Sequence, residues 1–327
     1  MIFIHGIGHF HPENIIDNQF LTDLNIDTSN SWIMERVGIR KRRTVLSLDY
    51  IRNTYNQSAS SVGSHIEYTN AQTGAIAAKL ALKHAKLTPQ DIGMVIAGGC
   101  LPQYSLPAEA CMIAAELGIN VPAFDVNSAC STFAIHMNLI KNMDKASLPD
   151  YILLVIPENM TRSVNFKDRK VAVLLGDGTS AIIVSKKHPT NYMISNVIIN
   201  SLPASYSVIT VPAGGHFFQE GPVVQRFAIK KMVNIIEELR QKANLSKHQH
   251  YFIGHQANLM MLRSICKISE ISEQFHLYNV DEFGNCGAAG APIVLSQNWN
   301  NFTPGDQIIL AVVGAGLTWG GMVIKIT

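Results

Sequence analysis

The sequence predicts an α/β fold built from two similar halves. Apolar runs such as residues 151–156, Tyr-Ile-Leu-Leu-Val-Ile, are continuous rather than alternating. This pattern is typical of strands that are covered by helices on both faces. Segments with helical composition lie between these strands along the chain, which favours a layered α/β architecture.

The two halves are indicated by internal similarity. Residues 88–99 and 245–256 each contain a turn and then a buried strand that ends in a loop. Residues 174–179 and 312–318 are glycine-containing turns that each lead into another strand. The shared order predicts a duplicated fold with its join near residues 186–192. The predicted units are an N-terminal half, residues 1–188, and a C-terminal half, residues 189–327.

Helix formers and helix-stop residues define the individual helices. Residues 70–86 are rich in Ala, Leu and Lys and end before Pro89, which cannot continue a helix. Strands are predicted at 122–127, 151–156, 181–185, 250–253 and 321–326. The predicted helices span 70–86, 107–117, 130–143, 224–243, 257–267 and 286–298.

Residues 45–68 are predicted to form a polar surface excursion. Asparagine and serine occupy positions 53, 56, 58, 60, 61 and 64. Such clusters favour a loop. The alternative is a lid over a site or an arm at a subunit interface.

The composition excludes several functional classes. Of the 327 residues, 47% are hydrophobic and 15% are charged, which predicts a large buried interior. Intrinsic disorder requires low hydrophobicity and high net charge, and the net charge here is +2. Near neutrality also argues against binding nucleic acid through phosphate neutralisation. The apolar runs are shorter than the ~20 residues of a membrane span, so no membrane association is expected.

The cysteines and the start of the chain favour a cytoplasmic protein. The first residues show no basic segment or cleavage pattern, so a signal peptide is not expected. The five cysteines are an odd number and form no CxxC pair. This favours reduced thiols over a disulfide framework or a zinc site. No metal is expected, since no His/Asp/Glu cluster has ligand spacing.

Cys130 is the first candidate catalytic residue. It follows the predicted strand 122–127 and opens the predicted helix 130–143. Backbone N–H groups and the helix dipole stabilise a thiolate at such a turn, and nearby N–H groups can bind an oxyanion. The alternative is a small hydrophobic residue in the core, which is the commoner role of a free cysteine.

His255 and Asn285 are the candidate partners of Cys130. His255 follows the strand 250–253, and the ends of buried strands often carry reactive side chains. Its imidazole could donate a hydrogen bond to an enolate or accept the thiol proton. Cys, His and Asn form a recognised set for acyl transfer through a thiol. A loop histidine and a helix N-cap asparagine are the structural alternatives, and Cys286 is a second candidate nucleophile.

Six short segments stand out, in order, over nearly the whole chain. They are DTSNSWIMERVGIR at 27–40, NSACSTF at 127–133, LGDG at 175–178, HQAN at 255–258, GN at 284–285 and GAGLTWG at 314–320. These segments resemble those of β-ketoacyl-acyl-carrier-protein synthases III, which belong to the thiolase-like superfamily. This resemblance implies a thiolase-like five-layered α/β/α/β/α sandwich with the active site between its two halves, and a homodimer.

The resemblance also implies a decarboxylative Claisen condensation. Cys130 would take an acyl group from an acyl-coenzyme A. His255 and Asn285 would bind the carbonyl of a malonyl thioester and stabilise the enolate formed as carbon dioxide leaves. The backbone N–H groups of Cys130 and Ala315 would form the oxyanion hole. Thiolate, imidazole and amide suffice for these steps, so no cofactor is expected beyond acyl-coenzyme A as substrate.

The same resemblance implies the residues that bind coenzyme A. Trp32 and Arg162 would sandwich the adenine, with Arg36 nearby, as suits an aromatic face and a guanidinium plane. Asn258 and the Gly214–Gly215 turn would border the pantetheine tunnel. Leu106 would reach across the dimer interface to the acyl pocket of the partner.

Two features of the sequence bear on an acyl carrier protein as partner. Met260 stands where many members that bind the carrier have arginine. The run Arg40-Lys41-Arg42-Arg43 could supply positive charge instead, although a solvated basic turn is the favoured interpretation.

Three alternatives differ from the condensation hypothesis. The first is non-decarboxylative transfer of the acyl group to a hydroxyl, amine or thiol by the same Cys-His-Asn site. The second is a non-catalytic subunit, which is disfavoured because Cys130, His255 and Asn285 are all present. The third is a glutamate-assisted synthase of the hydroxymethylglutaryl type, which is disfavoured because the loop 97–100 carries no carboxylate.

Overall fold

The computed structural model describes residues 1–246 and 249–327, without the side chains of residues 60 and 61. Residues 247 and 248 of the repeated segment 245–256 therefore lie outside the described residues. The strands are β1 Ile2–Phe10, β2 Asn14–Asp17, β3 Lys41–Thr44, β4 Ile92–Ala97, β5 Ala123–Asp125, β6 Tyr151–Glu158, β7 Gly178–Ser185, β8 Tyr192–Ser201, β9 Ile209–Thr210, β10 Phe218–Gln219, β11 Tyr251–Gly254, β12 His276–Leu277, β13 Gln307–Gly314 and β14 Thr318–Ile326. The helices are α1 Asn18–Asp23, α2 Asn30–Arg36, α3 Leu48–Thr54, α4 Asn70–Ala85, α5 Glu109–Glu116, α6 Thr132–Asn142, α7 Arg169–Ala172, α8 Gly221–Ala243, α9 Leu259–Ile268, α10 Val280–Phe283 and α11 Gly290–Gln297.

The helices begin where local hydrogen bonding dictates. Helix α4 starts at a capping box in which Thr69 Oγ1 accepts the N–H of Gln72 and Gln72 Oε1 accepts the N–H of Thr69. Such a cap contributes about 1 kcal/mol. Helices α6 and α11 start later than the sequence predicted, because short 3-10 turns at Ala129–Ser131 and Gly287–Ala289 precede them.

The main sheet repeats one strand pattern twice. Its order is β12-β11-β13-β14-β8-β1-β7-β6-β4-β5. Counting inward from either edge, the first three strands are parallel to one another. The fourth and fifth strands each pair antiparallel with the strand before them. The two sets of strands meet where β1 pairs with β8. The sheet thus has the duplicated order that the sequence indicated, while the exact domain boundary stays a prediction.

The two halves of this sheet form the two β layers of an α/β/α/β/α sandwich, with helices outside each half and between them. Helices α4 and α5 pack outside the N-terminal strands, and α8 and α9 pack outside the C-terminal strands. Helices α6 and α11 fill the central layer, where Phe133, Ile140 and Val294 are fully buried. The continuous apolar runs are explained by burial on both faces.

The expectation of an irregular loop at 45–68 is wrong. The segment contains helix α3 and the 3-10 helix Ala59–Ser64. Ser47 caps α3, and Tyr50 and Ile51 are buried on one side of it. The buried amide of Asn56 donates to the backbone carbonyl oxygens of Arg162 and Val164. Asn56 therefore anchors the segment to the body of the protein.

The described helices contain no segment that is both long enough and apolar enough to cross a membrane.

Candidate active site

Cys130 lies on a tight turn between strand β5 and helix α6. Ala129, the residue before it, has a left-handed φ of 45°, which costs conformational energy in a non-glycine residue. The turn is held by the side chains of Asn127, which accepts the N–H of Ala129, and of Thr132, which donates to the carbonyl oxygen of Ala129. The backbone of Cys130 is thereby fixed.

The end of strand β13 lies directly against this turn. A Cβ atom at Gly314 would be only 2.9 Å from the backbone nitrogen of Cys130 and 3.0 Å from that of Ser131. Only glycine therefore allows this approach without a shift of the backbone. Ala315 follows immediately, so the backbone N–H groups of Cys130 and Ala315 belong to two segments in contact.

The other half of the protein supplies His255 and Asn285. His255 follows strand β11, is 5% exposed, and donates its backbone N–H to the carbonyl oxygen of Ala311. Asn285 is held between Leu174 and Gly176 by backbone hydrogen bonds. Its Oδ1 accepts the N–H of Gly287, which leaves the amide N–H groups to donate to a ligand.

These three side chains line one inner cavity of about 60 Å³. The structure thus brings together Cys130, His255 and Asn285, which are more than 100 residues apart in the chain at the widest separation. Apolar side chains form most of the remaining wall: Met160, Leu175, Ile209, Phe217, Val224, Phe227, Ala228, Val313 and Leu317 are among them. Polar groups that converge in an apolar cavity are typical of a site for a small molecule.

Cys130 has the character of a thiolate. Its Sγ lies 3.6 Å from Sγ of Cys100, and the hydrogen bond with Cys100 is the main cause that lowers the pKa of Cys130 well below the usual range. The imidazole of His255 lowers this pKa further, while burial opposes both. A thiolate, not a thiol, is the nucleophile.

Cys286, the second candidate nucleophile, lacks this character. Its side chain is 1% exposed and lies toward the carbonyl oxygens of Phe283 and Gly284. Burial raises the pKa of Cys286 well above its usual value. Buried thiols of this kind are inert.

Glu158 is a site residue that the sequence did not reveal. It is the last residue of β6 and is fully buried, and its Oε1 accepts the N–H groups of Cys100 and Ala288 at 2.9 Å. Burial raises the pKa of Glu158 to about 8, and the charge of Cys130 contributes. The loop 97–100 carries no carboxyl group of its own, but the carboxyl group of Glu158 lies beside it. The sequence of this loop therefore does not by itself disfavour a glutamate-assisted synthase. The sequence signal that could have indicated Glu158 is a charged residue at the end of an apolar strand.

A larger cleft of about 890 Å³ lies outside the inner cavity and shares Asn285, Ala257 and Met261 with it. Three cations, Arg36, Arg169 and Lys170, line the cleft together with Trp32, against the two acidic residues 168 and 220. The guanidinium carbons of Arg36 and Arg169 each lie 4.9 Å from the centre of the Trp32 ring. The cleft therefore combines an aromatic face with cations at its opening.

The predicted pairing of Trp32 with Arg162 is not seen. Arg162 is 7% exposed, and its guanidinium donates to Leu101 O and Gln103 Oε1. It lies in the 3-10 helix Met160–Ser163, which directs the side chain into the loop after β4. Arg169, at the start of α7, takes the place beside Trp32.

The remaining predicted binding residues differ in position. Asn258 lines the cleft and caps α9 by accepting the N–H of Met261. Gly215 is not among the residues that line the cleft or the inner cavity, which in this segment are Phe217 and residues 218–225. Leu106 is 85% exposed.

The basic run 40–43 is occupied by contacts within the chain. Arg40 pairs with Asp281 and Glu282. Arg42 is fully buried and donates to Asn18 and Val173. The run thus joins β3 to neighbouring segments and is not the solvated turn expected from the sequence.

Among residues 1–246 and 249–327, no group of three or more His, Cys, Asp or Glu side chains is arranged to hold a metal ion.

Two family models match the chain. The model described as 3-oxoacyl-[acyl-carrier-protein] synthase III matches residues 124–202, which contain Cys130. The model for the C-terminal part of the same family matches residues 234–326, which contain His255 and Asn285. Together they match more than half of the chain.

Individual relatives agree over the full length. The chain is 28% identical over 337 residues to the β-ketoacyl-[acyl-carrier-protein] synthase III of Coxiella burnetii, covering 99% of this chain and 98% of that one. It is 29% identical over 331 residues to the enzyme of the same name from Rickettsia prowazekii, covering 98% of each. The crystal structure of 3-oxoacyl-[acyl-carrier-protein] synthase III from Aquifex aeolicus superposes with a TM-score of 0.88 at 26% identity, covering 99% of this chain and 100% of that one.

Proposed function

Because the chain belongs to the β-ketoacyl-acyl-carrier-protein synthase III family, with a thiolase-like fold, we propose that it forms carbon–carbon bonds by decarboxylative condensation. The chain is an acyltransferase of this family. The observation that carries the proposal is the convergence of Cys130, His255 and Asn285 on one apolar cavity beneath a basic cleft.

In the first step, Cys130 takes an acyl group from acyl-coenzyme A. The thiolate attacks the thioester carbonyl, and the backbone N–H groups of Cys130 and Ala315 donate to the oxyanion. The carbon–sulfur bond to coenzyme A then breaks, and the departing thiolate takes up a proton. The acyl chain remains on Cys130 inside the apolar cavity.

In the second step, a malonyl thioester binds in place of coenzyme A. His255 and the amide of Asn285 donate hydrogen bonds to its thioester carbonyl, which stabilises the enolate that forms as carbon dioxide leaves. The enolate carbon attacks the acyl carbonyl on Cys130. The thiolate is released, and the product is a 3-oxoacyl thioester. These steps use only groups of the chain and need no further cofactor.

The cleft fits the adenine and phosphates of coenzyme A. Trp32 offers a stacking face, and Arg169 and Arg36 lie against its ring. Lys170 adds a further cation at the opening. We assign Arg169, rather than Arg162, to the stack.

A homodimer is part of this proposal. Leu106 is an exposed apolar side chain, and the nearby Tyr104 is 56% exposed. Burial of such side chains against a second copy is favourable. Whether the malonyl group arrives on an acyl carrier protein or on coenzyme A is decided by the experiment below.

The experiment supplies acyl-coenzyme A with malonyl-coenzyme A or malonyl carrier protein labelled in the free carboxyl group. We expect labelled carbon dioxide and a 3-oxoacyl thioester from the wild type and neither product from Cys130→Ala. His255→Ala and Asn285→Ala should still form the acyl-enzyme but release carbon dioxide about 100-fold more slowly or worse. Cys111→Ser, at an exposed cysteine outside the site, is the matched control. Acyl transfer to an acceptor without carbon dioxide release would support the non-decarboxylative alternative instead.

A further inference from the structure

A second cysteine lies in contact with the nucleophile. Sγ of Cys100 is 3.6 Å from Sγ of Cys130. The two residues follow β4 and β5, which are neighbouring parallel strands. Their loops therefore leave the same edge of the sheet side by side, although the two residues are 30 positions apart.

Glu158 and Gly287 fix the position of Cys100. Its backbone N–H donates to both carboxyl oxygens of Glu158, at 2.9 and 3.0 Å. On the other side, a Cβ atom at Gly287 would lie 3.2 Å from Cys100 Sγ and 2.6 Å from Glu158 Oε1. Glycine, whose φ here is 52°, therefore leaves space for the thiol. Both sulfur atoms are thus held within reach of each other.

We propose that Cys100 is a resolving thiol that captures an oxidised Cys130 as an intramolecular disulfide and so protects the nucleophile from irreversible oxidation by hydroperoxides.

The chemistry proceeds in two balanced steps. The Cys130 thiolate attacks the terminal oxygen of a hydroperoxide, the O–O bond breaks, and Cys130 becomes a sulfenic acid while the alkoxide or hydroxide takes a proton from solvent. The sulfur of Cys100 then attacks the sulfur of Cys130, and the S–O bond breaks. The leaving hydroxide and the proton of the Cys100 thiol form water. In total, two thiols are oxidised by two electrons, and the hydroperoxide is reduced to an alcohol or water.

The acid–base properties of the pair agree with these roles. The hydrogen bond with Cys130 and burial raise the pKa of Cys100 well above its usual value, whereas the pKa of Cys130 is lowered. One member is thus the nucleophile toward peroxide, and the other remains a thiol until the sulfenic acid forms. The carboxyl group of Glu158 lies beside Cys100 and accepts its backbone N–H, while the thiol proton of Cys100 goes to the leaving hydroxide. A dithiol reductant would return both cysteines to thiols by exchange.

The test is mass spectrometry of the full-length protein after hydrogen peroxide treatment, with N-ethylmaleimide added to block remaining thiols. In the wild type we expect the loss of two hydrogens, a peptide pair joined through Cys100 and Cys130, and recovery of both thiols with dithiothreitol. In Cys100→Ser we expect Cys130 to gain two or three oxygens, which dithiothreitol does not reverse. Cys111→Ser should behave like the wild type.

The proposal is overturned if Cys130 in the wild type is oxidised to sulfinic or sulfonic acid as fast as in Cys100→Ser. It is equally overturned if Cys130 is joined to another cysteine, or if it resists oxidation altogether. The joined peptide is sought in the wild type, so the test does not depend on the folding of the variant. The mass change also reports on the thiols whether or not the protein condenses malonyl thioesters.

Discussion

The guanidinium carbon of Arg169 lies 4.9 Å from the centre of the Trp32 ring, while Arg162 is buried under the loop after β4. Arg169 also pairs with Asp27, which lines an adjoining pocket together with Trp32. The stacking surface at the mouth of the cleft is therefore built from helices α2 and α7. Its arginines are Arg169 and Arg36.

This arrangement predicts that Trp32→Ala and Arg169→Ala weaken the binding of acyl-coenzyme A. Stacking of a base on an aromatic ring is worth about 1–3 kcal/mol, so KM for acyl-coenzyme A should rise about tenfold with little change in kcat. Steady-state kinetics with an acyl-pantetheine substrate, which lacks the adenine, is the internal control and should show no such rise. Lys79→Ala, at an exposed cation on α4, should leave KM unchanged. An equal loss for both substrates would show that these residues do not bind the adenine.

The contact between Cys100 and Cys130 predicts a shift in thiol reactivity. Cys100→Ala removes the hydrogen bond that is the main cause of the lowered pKa of Cys130. The pH at which Cys130 is half-maximally alkylated by iodoacetamide should therefore move upward. The folded protein is alkylated, and the modified fraction is then measured on the Cys130 peptide after digestion. Cys100→Ser retains a donor and should shift the midpoint less. Identical midpoints in Cys100→Ala and the wild type would refute this role.

The close approach of β13 predicts a large effect of Gly314→Ala. The added methyl group would force the turn at Cys130 to shift, because its Cβ would be 2.9 Å from the Cys130 nitrogen. We expect kcat to fall about 100-fold or more, which is typical for the loss of an oxyanion-hole donor, and the free energy of unfolding to fall by about 1–3 kcal/mol. Gly63→Ala is the control, since no atom of the described residues lies within 4 Å of its added Cβ. Wild-type kcat in Gly314→Ala would contradict the account.

The buried carboxyl of Glu158 predicts a pH-dependent stability. Its pKa rises from 4.5 to about 8 on folding, so the folded protein holds a proton that the unfolded chain has lost. This stabilisation is complete below about pH 4.5 and is lost as the pH rises to about 8. Glutamine does not titrate. The Tm of the wild type relative to Glu158→Gln should therefore fall across this range.

Calorimetry at several pH values measures this difference. Glu116→Gln, at an exposed carboxylate on α5, should follow the wild type. If Glu158→Gln and the wild type gave parallel curves of Tm against pH, Glu158 would not be the titrating group.

The fold and the three candidate catalytic residues could be predicted from the sequence. Uninterrupted apolar runs such as 151–156 predicted strands covered on both faces, and their repeated order predicted two halves. Cys130 opens a predicted helix, and His255 and Asn285 precede predicted helices by two residues and by one. The resemblance to the synthase family predicted that they share one site; the structure places all three along one cavity, and their catalytic roles stay a prediction.

Other features depended on geometry that spacing does not reveal. Arg162 and Arg169 are both arginines near the same strand end, and only the 3-10 turn at Met160–Ser163 decides which of them is buried. Glu158 is the last residue of β6 and Cys100 follows β4, and their contact results from the parallel pairing of β4 with β6. The polar residues of 45–68 predicted a loop, whereas the segment contains a helix. The buried amide of Asn56 binds carbonyl oxygens that are distant in sequence, and the segment alone does not reveal such contacts.

The central claim is that Cys130 carries the acyl group, and intact-protein mass spectrometry tests it most directly. Wild type and Cys130→Ala are each incubated with a panel of acyl-coenzyme A thioesters of increasing chain length. We expect an acyl adduct on the wild type, for those chains that the cavity holds, and no adduct on Cys130→Ala. An adduct that persists in Cys130→Ala, or the absence of any adduct on the wild type, would contradict it.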